Sequence, residues 1–221
     1  MASIIPGFEF DIFISYRQKD NRSDKWVTHF VKALQEELDA TFKEDISIYF
    51  DENPHDRLLE THHVSKSLEG KLKCLIFIPI VSQTYCDPKS FAWQNELCAY
   101  IGLSRSDSFG PNVKLKNGNV ASRILPVKIH DLDEEHQKLL ENQLGEILRP
   151  VEFIFRTPGV NRPLTSKDDD AKEITHDLFY RNQINKVANA IKEILNGLIQ
   201  SSQQKNEKTP NDPLPEKRTE K

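Results

Sequence analysis

Cys74-Leu75-Ile76-Phe77-Ile78-Pro79-Ile80-Val81 is an unbroken apolar run of strand length. A strand that alternates apolar and polar residues has one wet face, whereas a run without alternation is covered on both, as in a parallel sheet with helices above and below. Pro79 removes one ladder donor and limits pairing at that point. On the amino-terminal side lie two more strand-like segments, Phe10-Asp11-Ile12-Phe13-Ile14-Ser15-Tyr16 and Ile46-Ser47-Ile48-Tyr49-Phe50-Asp51. Between them Val27, Phe30, Val31, Leu34, Leu38 and Phe42 recur at helical spacing, with Ser23 or Asp24 as the expected cap. A shorter helix is expected over Glu60 to Lys71.

After the apolar run, Asp87 is read as a helix cap with Pro88 at the first helical position, opening the helix that holds Glu96. Val113 to Val120 alternates around Asn117-Gly118, which predicts a small hairpin with a two-residue turn. Further strands are expected over Arg123 to His130 and Val151 to Phe155, separated by a helix from Asp133 to Leu148. Arg156 to Asp177 reads as a long loop with a solvated acidic run at Asp168-Asp169-Asp170. Phe179 to Ile199 places Ile184, Val187, Ala188, Ile191, Leu195 and Leu198 on one helical face. Strands alternating with helices predict an α/β fold: a five-stranded, mostly parallel sheet with helices on both faces. In such sheets ligands bind beyond the carboxyl ends of the strands.

The 221 residues suffice for one core, so residues 1-200 are expected to form one domain. Residues 201-221 have almost no apolar side chains and contain three prolines, the composition of a disordered polar tail or linker to a tethered domain or partner. The 30 basic residues are interspersed with 34 acidic ones, leaving a net charge of -4 and no phosphate-binding stripe, so nucleic acid is not an expected partner. Cys74, Cys86 and Cys98 form no paired framework, which suits a reducing compartment. Met1 to Pro6 has no leader pattern, and the Cys74 to Val81 run is too short to cross a bilayer. The expectation is a cytoplasmic chain that does not itself enter a membrane. His55, His62 and His63 make no recognisable metal spacing, and no metal is expected.

Glu96 stands one helical turn from Trp93 and from Tyr100. A carboxylate among aromatic rings is partly desolvated, which raises its pKa and strengthens its field on a developing cation. That chemistry suits cleavage of an N-glycosidic bond through an oxocarbenium-like state. From spacing alone, an ordinary exposed helix glutamate is the other reading.

Three motifs, in order, carry a resemblance to the Toll/interleukin-1 receptor (TIR) domain family. Phe13-Ile14-Ser15-Tyr16 with Asp20 resembles its first box, Tyr49-Phe50-Asp51 with the following Glu52 to Leu59 resembles strand B and the BB loop, and Ser90 to Leu97 is similar to its Ser-x-Trp-Cys-x-x-Glu-Leu helix motif. The likeness spans about Phe8 to Ile199 and is closest to bacterial TIR domains placed at the N-terminus of larger proteins. It implies a flavodoxin-like fold and, for many members, cleavage of NAD into nicotinamide and ADP-ribose or a cyclic isomer, with NAD as substrate and no separate cofactor. By position Glu96 corresponds to the family's essential glutamate. Tyr16, Arg17, Asp51 and Trp93 would border the substrate, and Asn53, Pro54, His55, Asp56 and Leu58 would form the interaction loop. One departure stands out: the family tryptophan lies four residues before the glutamate, where this chain has Ala92, while Trp93 occupies the cysteine position. Arg17 reads equally as a pyrophosphate fork or a solvated loop arginine, and Asp20 as a turn or capping residue.

The resemblance implies an NAD glycohydrolase activated by self-association, or alternatively a non-catalytic signalling adaptor that pairs with other TIR domains. Kinship with the bacterial enzymes implies a defence role. A phosphoacceptor receiver domain needs an aspartate at the end of its third strand, and Cys74 to Ser82 has none. A nucleoside-processing transferase using Glu96 is the remaining alternative.

Overall fold

The computed structural model describes residues 3-51, 64-145, 149-170 and 179-207. Five strands form the main sheet: β1 (Phe10–Ser15), β2 (Ile48–Tyr49), β3 (Cys74–Val81), β6 (Val127–Lys128) and β7 (Val151–Glu152). Their order is β2-β1-β3-β6-β7 and every pairing is parallel. That order is the flavodoxin-like doubly wound arrangement, in which chain direction across the sheet reverses between β1 and β3. The expected fold class is therefore the observed one. β3 has the residue bounds read from its apolar run and all eight of its residues are buried. Pro79 pairs in register with Ser15, at the end of the β1 ladder.

Alternation along β1 and β3 feeds two cores. Ile12, Ile14, Ile76, Ile78 and Ile80 join the cluster built by helices α1 (Trp26–Thr41) and α6 (Phe179–Glu207). Phe13, Phe77 and Val81 join a second cluster with Leu68 and Leu72 at the end of α2 (Val64–Lys71), and with Trp93, Leu97 and Tyr100. Phe13, Phe77 and Tyr100 stack in series, with centroids 5.5 Å and 4.7 Å apart. On the first face, Phe30 and Tyr180 each meet the Phe153 ring edge-on. Each face of the sheet is thus sealed by apolar helices, and only the strand ends stay polar.

Several local expectations change. The cap position of α1 is neither Ser23 nor Asp24 but Lys25, which has no capping side-chain bond; Asn21 Oδ1 instead accepts from Val27 and Thr28 N–H at 3.0 and 3.2 Å. The 113-120 hairpin exists as β4 (Asn112–Lys114) and β5 (Val120–Ser122), but its loop has three residues, because Gly118 N–H donates to Leu115 and Gly118 takes φ +85°. Leu115 N–H donates in turn to the Asn119 carbonyl, so three residues ending in a left-handed glycine close the hairpin, not the two-residue turn expected. α4 (Glu134–Leu144) is capped by Asp133, which accepts from His136 N–H, and it stops at Gly145 with φ +73°.

The Arg156 to Asp177 segment is not a featureless loop. β8 (Ile154–Thr157) and β9 (Val160–Pro163) form a second hairpin, and α5 (Ser166–Asp170) follows. Nor is its acidic run merely solvated. Asp168 is bonded by Arg162 and by Thr165, which holds its carboxyl down at about 2. Asp169 is buried and accepts from the first N–H groups of α6, Tyr180 at 2.8 Å and Arg181 at 3.0 Å. An acidic side chain there satisfies orphan donors at the positive end of the helix dipole. α6 itself runs on past Ile199 to Glu207.

Two buried polar residues tie the amino end of the sheet. Asp11 accepts from Ser3 Oγ, Ile4 N–H, Ser47 N–H and Ser47 Oγ, all within 2.8 Å. Arg123, with no exposed surface, donates to the carbonyls of Cys74, Leu75 and Gly110 and to Asp107.

Candidate active site

The segment carrying Glu96 opens on one α-helical bond, from Gln94 N–H to the Ser90 carbonyl at 3.0 Å, and then widens. Ser90 is the cap, since its Oγ accepts from Trp93 N–H at 3.1 Å; Asp87, the expected cap, instead closes a local turn by accepting from Lys89 N–H. Ala92–Leu97 is a π-helix, in which Cys98 N–H reaches back to the Trp93 carbonyl, and α3 (Cys98–Ser106) continues it. A wider turn changes which side chains share a face, and single π turns concentrate at functional sites.

Trp93 is consequently an inner residue. It is 3% exposed and meets the Tyr85 ring edge-on, with centroids 6.4 Å apart. It supports the site from beneath, and the aromatic that this segment leaves at the surface is Phe91, 48% exposed.

Glu96 points back to the carboxyl end of β1. Ser15 Oγ, fully buried, donates to Glu96 Oε2 at 2.6 Å and lies 2.9 Å from the Tyr85 hydroxyl. These groups sit at the reversal point between β1 and β3, the position at which sheets of this order bind ligands. Burial pushes the Glu96 carboxyl up to about 7; the Ser15 hydrogen bond opposes that rise and the Asp51 charge adds to it. A carboxyl poised near neutrality changes charge within the physiological range, as acid-base and cation-stabilising groups require.

Tyr16 follows β1 directly, meets the Phe50 ring at a tilt and donates from its hydroxyl to the Asp51 carbonyl at 2.6 Å, fixing the first and second strand ends to each other. Asp51 acts electrostatically on both Glu96 and Tyr49. Arg17 lies 3.9 Å from Asp87, a long pair between partly exposed side chains, so its guanidinium faces the rim. Asn53, Pro54, His55, Asp56 and Leu58 lie outside the described residues, as do His62 and His63.

Asp20 does more than cap a turn. Its carboxylate accepts from Ser82 Oγ at 2.6 Å and Thr84 Oγ1 at 2.9 Å, binding the loop after β1 to the loop after β3. Reading the sequence missed Ser15, Ser82 and Tyr85. The available signal was position: Ser15 closes an otherwise apolar strand, and Ser82 and Tyr85 follow β3 on the rim where ligands gather. Among the described residues no cluster of His, Cys, Asp or Glu is arranged to hold a metal, and no helix is long and apolar enough to cross a membrane.

No protein-family model matches the chain, and no curated protein matches it. Among solved structures, the TIR domains of an activated Roq1 resistosome, described as directly recognizing the pathogen effector XopQ, are similar at 16% identity and a TM-score of 0.38, over 86% of this chain and 99% of that one. A likeness so distant assigns neither family nor activity. Both have to be argued from the chain's own residues.

Proposed function

We propose that the chain is a TIR-type domain that hydrolyses NAD at the bond between nicotinamide and ribose. The observation that carries this reading is the Glu96 carboxyl, partly withdrawn from water, held by Ser15 at the sheet reversal point and pushed up to about 7. A substrate bearing a cationic pyridinium would favour the ionised form of that carboxyl on binding, so the charge needed in the transition state is recruited by the substrate itself. Glu96 accepts from a ribose hydroxyl and faces the sugar as positive charge develops at its anomeric carbon. The C–N bond breaks with its electron pair going to the ring nitrogen, which leaves as neutral nicotinamide. Water then adds to the anomeric carbon and loses a proton, giving ADP-ribose; attack by the adenine ring gives a cyclic isomer instead. Arg17 on the rim supplies a fork for the pyrophosphate.

Self-association would run through the 52-59 loop and the neighbouring helices, and residues after the compact domain would tether a further domain or partner. A defence role belongs to the same reading. One observation favours a non-catalytic adaptor instead: Trp93 is turned into the core and offers no surface to stack on a nicotinamide ring.

A single assay separates the two. Purified protein at high concentration is incubated with NAD while nicotinamide release is followed, beside Glu96→Ala. Release that is lost in Glu96→Ala and rises more than linearly with protein concentration supports the enzyme and its assembly. Absence of release at every concentration leaves the adaptor.

A further inference from the structure

Resting on the reading of Glu96 as the working carboxyl, we propose that Tyr85 is a positioning residue that acts on Glu96 through Ser15, forming a one-way hydrogen-bond relay from phenol to hydroxyl to carboxylate. The direction follows from counting protons. When Glu96 is ionised its carboxylate can only accept, so Ser15 commits its one hydroxyl hydrogen to Oε2 at 2.6 Å and in the 2.9 Å contact with Tyr85 can only accept. Tyr85 must therefore be the donor. Donation into Ser15 Oγ polarises the Ser15 O–H toward Glu96 and favours the ionised carboxyl.

The phenol is built in rather than adventitious. Tyr85 has no exposed surface, and its ring lies against Trp93. Its backbone N–H donates to both the carbonyl and the Oγ of Ser82, while Ser82 Oγ donates to Asp20. Asp20 thereby clamps the turn that aims the phenol, and the shifted tryptophan acquires a role as the wall behind it. The groups that act electrostatically on Glu96 among the described residues are Asp51, which opposes its ionisation, with Tyr49 and Tyr85 nearby; Tyr49 in turn accepts from Lys71 at 3.0 Å.

The test is a titration of the Glu96 carboxyl by carbon-13 NMR, which needs no turnover. Tyr85→Phe keeps the ring and removes the donor, and should raise the Glu96 titration by about half a unit. Ser15→Ala should raise it by about one unit, and Ser15→Thr should restore it. Adding Tyr85→Phe to Ser15→Ala should change nothing more, because the only path from the phenol has been cut. If Tyr85→Phe does not fold, 3-fluorotyrosine placed at position 85, a stronger donor, should lower the titration by roughly a few tenths of a unit. A Glu96 titration that ignores both changes at position 85, or that shifts equally with and without the Ser15 hydroxyl, overturns the relay. Nicotinamide release from the same preparations reports on the proposed activity separately: its acid limb should move with the NMR value, and a silent wild type would remove the enzyme reading without touching the titration.

Discussion

Ser15 and Glu96, 81 positions apart, are joined by a 2.6 Å hydrogen bond across the point where the sheet reverses direction. The serine is the last residue of β1 and the glutamate lies in a π-helical turn leading into α3. The bond opposes the effect of burial on the carboxyl without cancelling it, and the residual rise to about 7 makes the site sensitive to pH in opposite senses for stability and for activity.

For stability, the folded chain keeps a proton on Glu96 to about pH 7, whereas the unfolded chain keeps it only to about 4.5. The folded state binds the extra proton inside that window, so stability falls as pH rises through it and the whole penalty is present above it. Glu96→Gln, neutral and similar in shape, is expected to stabilise the protein at pH 8 by on the order of 2 kcal/mol, after allowance for the part of the side chain that solvent reaches. The gain should vanish near pH 4.5. Urea midpoints at the two pH values check this, and an equal effect at both would contradict it.

For activity, the sign is the reverse. If ionised Glu96 stabilises the developing cation, kcat/KM for NAD should fall about tenfold per pH unit below its free pKa and level off above it. The midpoint expected is about 7. Nicotinamide release measured across this range provides the profile, and a flat one would exclude Glu96 as the titrating group.

Arg123 should be among the least replaceable residues of the scaffold. Its guanidinium is fully buried and serves three carbonyls and Asp107, so Arg123→Met leaves those acceptors without donors in a dry interior. A loss of roughly 3–5 kcal/mol is expected, and Arg123→Lys should not recover most of it, because an ammonium cannot reproduce the planar fork. Thermal unfolding of the two variants measures both effects.

Gly197 is a glycine inside α6 whose reason is space, not backbone angle. A Cβ there would lie 2.6 Å from Val113 Cγ1 and 3.3 Å from the Lys114 carbonyl, both in the β4 strand that packs on the helix. Helix propensity favours alanine by about 1 kcal/mol, but Val113 is buried and β-branched and has little room to yield. Gly197→Ala should lower stability by about 1–2 kcal/mol net, and Val113→Ala in the same chain should relieve part of that cost. Urea unfolding of the single and double variants decides it; a stabilising Gly197→Ala would mean that the hairpin moves freely.

Composition and periodicity act over a few residues, and that is the range over which the chain could be read. The apolar run of β3, the inner faces of α1 and α6 and the position of Glu96 after β3 all follow from neighbours within one or two turns. The same range explains why the caps were misplaced: Ser23, Asp24 and Asp87 are as good cap formers as Asn21 and Ser90, and the backbone path chose between them. Asp168 and Asp169 looked solvated because their partners, Arg162 and the start of α6, are set by a hairpin with no strong local signature.

What the chain alone determined was the layer plan, and with it the place of Glu96 in the segment that follows β3, because burial patterns are written into consecutive side chains. What folding decided was the surroundings of that acid. Ser15 meets Tyr85, and Asp20 meets Ser82, only after β1 and β3 become neighbours, and Trp93 is buried in a segment that winds as a π-helix. A carboxyl's pKa depends on the water removed and the donors delivered by segments distant along the chain, and no local pattern encodes that sum.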